Sequence, residues 1–130
     1  MCFSLSFVRS FRADKAEATT AATFAENCVA DATANVATTD IYKKYEGRAG
    51  LIAWVKAIDC IEFQNFTPAL LGTQGNKVYL MSTYTPKMKA SGKAMGPQAD
   101  VHEWTVDKEG KIASVKFFWG NQKDLADLWA

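Results

Sequence analysis

The chain lacks most of the features by which a function announces itself. In 130 residues there is one histidine, His102, and there are three cysteines, Cys2, Cys28 and Cys60. The cysteines are far apart and odd in number, so neither a disulfide framework nor a CxxC metal knuckle is readable. Free thiols in a reducing, cytoplasmic compartment are expected instead. With a single imidazole and dispersed acids, no metal site is expected. Charge of one sign is missing too: fifteen Lys plus Arg face fourteen Asp plus Glu. A net charge of +1 sets up no field for nucleic acid or for an anionic membrane surface. No apolar run approaches the roughly 18 residues of a membrane span. Phosphate loop, HExxH and GxSxG are absent, and no cofactor is expected. The opening MCFSLSFVRSFR is apolar, with two Arg and no acid before Asp14. It has no continuous apolar core and no AxA-like cleavage site, so it does not read as a secretory signal; a short basic targeting remnant remains compatible with it.

What is present is ordinary globular material, 48% hydrophobic and 12% aromatic. The length suits one domain over residues 1–130, with neither repeat nor linker. Phe3, Phe7, Val8 and Phe11 lie on one helical face, although Phe3, Leu5 and Phe7 also alternate as in a strand. The Ala-rich stretch from Asp14 to Cys28 opens with acids and predicts a helix. Thr33 to Asp40 predicts a brief strand or an extended loop. Leu51, Ile52, Trp54, Val55 and Ile58 predict an amphipathic helix after Gly47. The character then changes to strands over Ile61–Leu71, Lys77–Thr85, Asp100–Val106 and Lys111–Trp119. Turns fall at Gly72–Asn76 and Asp107–Gly110, a basic hairpin tip at Pro86–Pro97, and a short terminal helix at Asn121–Trp129. Pro68 puts an edge or a bulge in the first of these strands. Helices followed by strands indicate an α+β fold, with helices on one face of a curved antiparallel sheet.

The stretch ADVHEWTVDKEGKIASVKFFWGN resembles the closing hairpin of SnoaL-like domains and of ketosteroid isomerases, within the nuclear transport factor 2-like superfamily. ENCVADATANV resembles the end of their helical hairpin, and YEGRAGLIAWVKAI the start of their next helix. The resemblance implies a cone-shaped barrel of a curved, mixed, mainly antiparallel sheet, with helices packed on its concave face around an apolar pocket. It places His102 where ketosteroid isomerases carry the acid of their oxyanion hole. Their general-base aspartate falls near Val36, and the acid that polyketide-cyclase members carry after the last strand falls near Gly120 or Asn121. Both standard bases are therefore missing.

Strand periodicity puts Asp100, His102, Trp104 and Val106 on one face. The resemblance turns that face toward the pocket, with His102 as proton shuttle. Asp40, Asp100 and Tyr84 are the candidate assistants and hydrogen-bond partners of His102. Trp54, Trp104, Trp119, Tyr42 and Val36 are the candidate ligand-lining residues. The opposite face, carrying Ile112 and Phe118 with Tyr79, Met81 or Thr83, is a candidate homodimer surface. Two functions remain open at this point. One is a cofactor-free isomerase, cyclase or hydrolase acting on a small apolar, oxygen-bearing molecule. The other is a non-catalytic module that binds a hydrophobic ligand or pairs through its sheet.

Overall fold

The computed structural model describes residues 22–34, 42–120 and 127–128. Along the chain these form β1 (Phe24–Asp31), β2 (Lys44–Glu46), α1 (Gly47–Ile58), β3 (Ile61–Gln74), β4 (Lys77–Met88), β5 (Gln98–Val106) and β6 (Ile112–Trp119). The strands make one sheet in the order β2-β1-β6-β5-β4-β3. Strands β3 to β6 form an antiparallel meander. β1 adds in parallel to β6, and β2 adds antiparallel to β1. This is the expected α+β architecture with a mixed, mainly antiparallel sheet. The barrel does not close, however. Among the described residues β2 and β3 are the two edges of the sheet, and closure would need them to pair; β2 is only three residues long and is committed to β1.

Turn chemistry sets the meander. Gly75, at φ 59°, occupies a two-residue turn between β3 and β4, a position that favours glycine. Asp107 accepts the backbone N–H of Glu109 and of Lys111, each at 2.9 Å, and closes the turn into β6. β3 is an edge strand, and its pairing with β4 slips between Gln64 and Thr67 and again between Leu70 and Gly72. Pro68 lies between those irregularities, as its missing N–H requires.

The first expected helix, Asp14 to Cys28, lies outside the described residues up to 21, is helical at 22–23, and is corrected from Phe24 on. Phe24 to Cys28 are extended and belong to β1. Phe24, Cys28 and Ala30 are buried, and β1 supplies the ladder partner that β6 otherwise lacks on that side. Helix propensity is worth only a few tenths of a kcal/mol per residue, and sheet pairing with burial outweighs it. The expected helix around Phe3–Phe11 lies outside the described residues. So does most of the expected terminal helix, of which 127–128 are helical.

Helix α1 buries Leu51 and Val55, one turn apart. Arg48 ties its first turn to the sheet, donating to the Phe24 carbonyl from Nε at 3.1 Å and from a terminal guanidinium nitrogen at 3.0 Å. A methyl group on Gly50 would come within 2.9 Å of the Tyr45 carbonyl carbon, so only glycine lets the helix lie this close to β2. The core joins Phe24 and Leu51 to Leu80, Trp104, Ile112, Val115 and Phe117.

Ile112 corrects a second expectation. It is fully buried in this core, not on the outer face beside Phe118. Val106 pairs with Ile112 but Thr105 with Ser114, so β6 carries one extra residue, Ala113. Such a bulge reverses the alternation on either side of it. Ile112, Val115 and Phe117 therefore all point inward.

Candidate functional site

The inner faces of β4, β5 and β6 carry the site. Alternation turns Leu80, Ser82 and Tyr84 inward from β4, and Gln98, Asp100, His102 and Trp104 inward from β5. The register sets Ser82 opposite Asp100, Tyr84 opposite Gln98 and Leu80 opposite His102. On the other side Phe117 stands opposite His102, and Trp119 opposite Asp100. Five polar side chains thus form a row on the inner face of the sheet. All are more than nine-tenths buried, with 0% exposure for Ser82, 3% for Asp100, 5% for Tyr84, 6% for Gln98 and 9% for His102.

One hydrogen bond organises this row. The Tyr84 hydroxyl donates to Asp100 Oδ2 at 2.6 Å. The contact is diagonal across the β4–β5 ladder, a span that an aromatic side chain can bridge. The Gly120 N–H reaches Asp100 Oδ1 at 3.4 Å while also bonding the Ala99 carbonyl at 3.1 Å. Gly120 is required here, because a Cβ would stand 2.4 Å from the Ala99 carbonyl oxygen.

Burial dominates the electrostatics. It lifts Asp100 to about 7, and the bonds from Tyr84 and Gly120 offset only part of that rise. Burial, followed by the neighbouring Asp100 charge and the hydrogen bond to it, pushes the Tyr84 hydroxyl far above the usual phenol range. Burial alone lowers His102 to about 4. At neutral pH the imidazole is therefore uncharged, and Asp100 is poised between its two states.

His102 packs edge-on against Phe117, with centroids 5.0 Å apart, and lies tilted 6.1 Å from Trp104. Its Nδ1 is buried without a hydrogen-bond partner. The expected bond from His102 to Asp100 or Tyr84 is not formed; those two residues bond each other. Asp100 and His102 stand two residues apart on one face of one strand, so their side chains run alongside each other. Asp40, the third candidate partner, lies outside the described residues, as does Val36.

The aromatic residues divide into two groups. Trp54, projecting from α1, stacks on Phe117 at 4.5 Å and 20°. Phe117 in turn stacks on Trp119 at 6.2 Å. Tyr42 meets Trp119 edge-on at 4.7 Å, and its charge also bears on Tyr84. Phe63 meets the Tyr84 ring edge-on at 5.1 Å. Trp54, Trp119 and Tyr42 thus border the polar row, whereas Trp104 is turned toward Phe24 in the core, 6.2 Å away. Sequence reasoning overlooked Ser82, Gln98 and Phe117. Period-2 counting from Tyr84, from Asp100 and from Trp119 would have found all three. Among the described residues, no group of three His, Cys, Asp or Glu side chains could hold a metal ion, and no helix is long and apolar enough to cross a membrane.

The architecture recurs in solved structures. A nuclear transport factor 2-like protein of unknown function from Burkholderia pseudomallei superposes with a TM-score of 0.75 at 14% identity, covering 98% of each chain. The fold is the nuclear transport factor 2-like fold. A protein from Mesorhizobium loti, named for its likeness to SnoaL-like polyketide cyclases, shares it with a TM-score of 0.67 at 14% identity over 89% of this chain and 95% of its own. TerC, co-crystallised with polyporic acid, shares it with a TM-score of 0.69 at 14% identity over 88% and 86%. No protein-family profile matches the chain, and no curated protein matches its sequence.

Proposed function

We propose that this protein binds a small, largely apolar, oxygen-bearing molecule and moves a proton on it without a cofactor. Asp100 is the acid–base group, Tyr84 its hydrogen-bonded partner, and His102 a neutral neighbour. The observation that carries this reading is the buried Tyr84–Asp100 pair. Its bond measures 2.6 Å, and burial holds the carboxyl near 7. A proton-transfer group works best when its pKa lies near the working pH. His102, lowered to about 4, suits that role less well than the sequence suggested, so the role passes to its strand neighbour. Isomerase, cyclase and hydrolase-like chemistry all remain within reach of such a pair. The small ligand held by TerC accords with the nuclear transport factor 2-like fold as a container for molecules of this size.

The test uses a probe that reports any positioned base. 5-Nitrobenzisoxazole opens to a coloured phenolate when a base removes its ring proton. The rate should rise with pH around a midpoint near 7, and Asp100→Asn should lower it by roughly 100-fold. A rate that ignores pH between 5 and 9, or that survives Asp100→Asn, would overturn the catalytic reading and leave a binding module.

The outer sheet face supports a partner proposal. Met81 pairs with Val101 and Val101 with Phe118, giving an apolar row across three strands on the side away from α1. Phe118 is 43% exposed. A helical layer covers only one face of a sheet, so this row is proposed as the homodimer surface.

A further inference from the structure

The polar row has unmet hydrogen-bonding capacity, and that capacity is uneven. Gln98 donates both protons of its Nε2 to backbone carbonyls, those of Gly96 and Pro97, each at 3.1 Å. This fixes the orientation of the amide and leaves Oε1, an acceptor, buried with no partner. The hydroxyl proton of Tyr84 is already given to Asp100. Asp100 itself keeps a poorly satisfied Oδ1, whose bond from Gly120 is 3.4 Å long. No Lys or Arg pairs with it among the described residues; the titratable groups around it are Tyr84 on β4, His102 on β5, and Tyr42, which bears on Tyr84. Ser82 Oγ, directly across the ladder from Asp100, is also buried without a partner and can serve in either role. Trp54 Nε1 is a buried donor without a partner, but Trp54 lies over Phe117, opposite His102 rather than Asp100. The Asp100 end of the row therefore holds two oxygens that can only be met by a donor, Gln98 Oε1 and the ionised Asp100 Oδ1, beside one hydroxyl, Ser82, that adapts to either role.

Buried polar groups are almost always satisfied in native proteins, and each unmet acceptor costs on the order of 1–3 kcal/mol. A site that leaves Gln98 Oε1 unpaired and gives Asp100 Oδ1 only one long bond is completed by a group that brings protons. We infer that the ligand of this site is held through a hydroxyl or a protonated amine that donates to Asp100 and Gln98, and not through a carbonyl oxygen. The inference rests on the reading of the Tyr84–Asp100 cluster as a ligand site. It sets the site apart from an oxyanion hole, whose donors would face a substrate carbonyl. The apolar remainder of the ligand lies against Trp119, Tyr42 and Phe63, and a cationic donor would gain further from those ring faces.

Three probes of similar size test this with the full chain at pH 8, where Asp100 is ionised: p-cresol, benzylamine and acetophenone. Binding is followed by amide chemical-shift titration. One or both donor probes should bind at least roughly 10-fold more tightly than acetophenone, the scale of one charge-assisted hydrogen bond. Whichever is tighter identifies the donor as neutral hydroxyl or ammonium. Asp100→Asn, which brings a donor of its own, should erase the preference, and Gln98→Met should weaken it. Acetophenone binding as tightly as the donor probes overturns the inference while the ligand-site reading stands. A donor preference that persists undiminished in both variants also overturns it, since the preference then arises elsewhere. If none of the three probes shifts any resonance, the ligand-site reading itself fails, and the inference with it.

Discussion

Asp100 and His102 stand two residues apart on one strand face, and burial moves them in opposite directions on the pH scale. Asp100 rises from 3.8 to about 7 in the fold, and His102 falls from 6.5 to about 4. Between pH 4 and 6.5 the folded chain holds a proton on Asp100 that the unfolded chain has released. Over the same range the folded chain lacks a proton on His102 that the unfolded chain has taken up. Stability rises with pH wherever the unfolded state binds more protons. The raised Asp100 value therefore contributes stability that is present at low pH and lost as pH climbs through 7. The lowered His102 value contributes stability that is present above 6.5 and lost as pH falls through 4. Each shift is worth about 3–4 kcal/mol, at 1.36 kcal/mol per unit. Over the shared range the two slopes cancel.

Removing one partner exposes the other. For Asp100→Asn, urea unfolding followed by tryptophan fluorescence should give a stability that climbs relative to wild type by about 4 kcal/mol between pH 4 and 7.5. At pH 8 the variant should be the more stable protein. The gain is reduced by the weakened Tyr84 hydrogen bond, worth about 1 kcal/mol. For His102→Gln the difference from wild type should have the opposite slope between pH 4 and 6.5. Other carboxylates, such as Asp31 and Glu103, are present in all three chains and drop out of the comparison. Difference curves that stay level for both variants would refute the buried-pair electrostatics, and with them the placing of Asp100 near 7.

Three further outcomes follow from the packing. Gly120→Ala forces a Cβ onto the Ala99 carbonyl oxygen; it should cost about 1–3 kcal/mol by overpacking and shift the amide resonance of Asp100, as read by urea unfolding and NMR. Phe117→Ala removes the ring on which Trp54, Trp119 and His102 all pack; a loss of about 3–5 kcal/mol is expected, and a loss under 1 kcal/mol would show that the stack is not part of the core. Phe118→Lys should leave thermal stability of the monomer nearly unchanged while light scattering moves from dimer to monomer mass, and a wild-type chain that is already monomeric at micromolar concentration would remove the proposed interface.

Much of the late fold was legible from local pattern alone. The turn at Asp107–Gly110 is written in an Asx residue followed by glycine, and the inward face of β5 follows from alternation once the strand is recognised. Pro68 marked an edge, and it lies on an edge. The misreadings came where distant pairing overrode local preference. Phe24–Cys28 looks helical by composition and becomes a strand because β6 needs a partner along that side. Ile112 changed faces because a single extra residue, Ala113, reverses a period-2 count, and no composition rule marks such a bulge.

The sequence by itself determined which residues could share a face: period-2 spacing aligns Gln98, Asp100, His102 and Trp104 whatever lies beside them. It also determined which motifs are missing, because motifs are matters of residue type. Only the tertiary structure decided who meets whom across that face. Tyr84 reaches Asp100 rather than His102 because the β4–β5 register places it on the diagonal, and register is set by turns and bulges at a distance from the site. Burial is likewise a property of the assembled fold. It is burial that makes Asp100, and not the lone histidine, the group poised to exchange a proton at neutral pH.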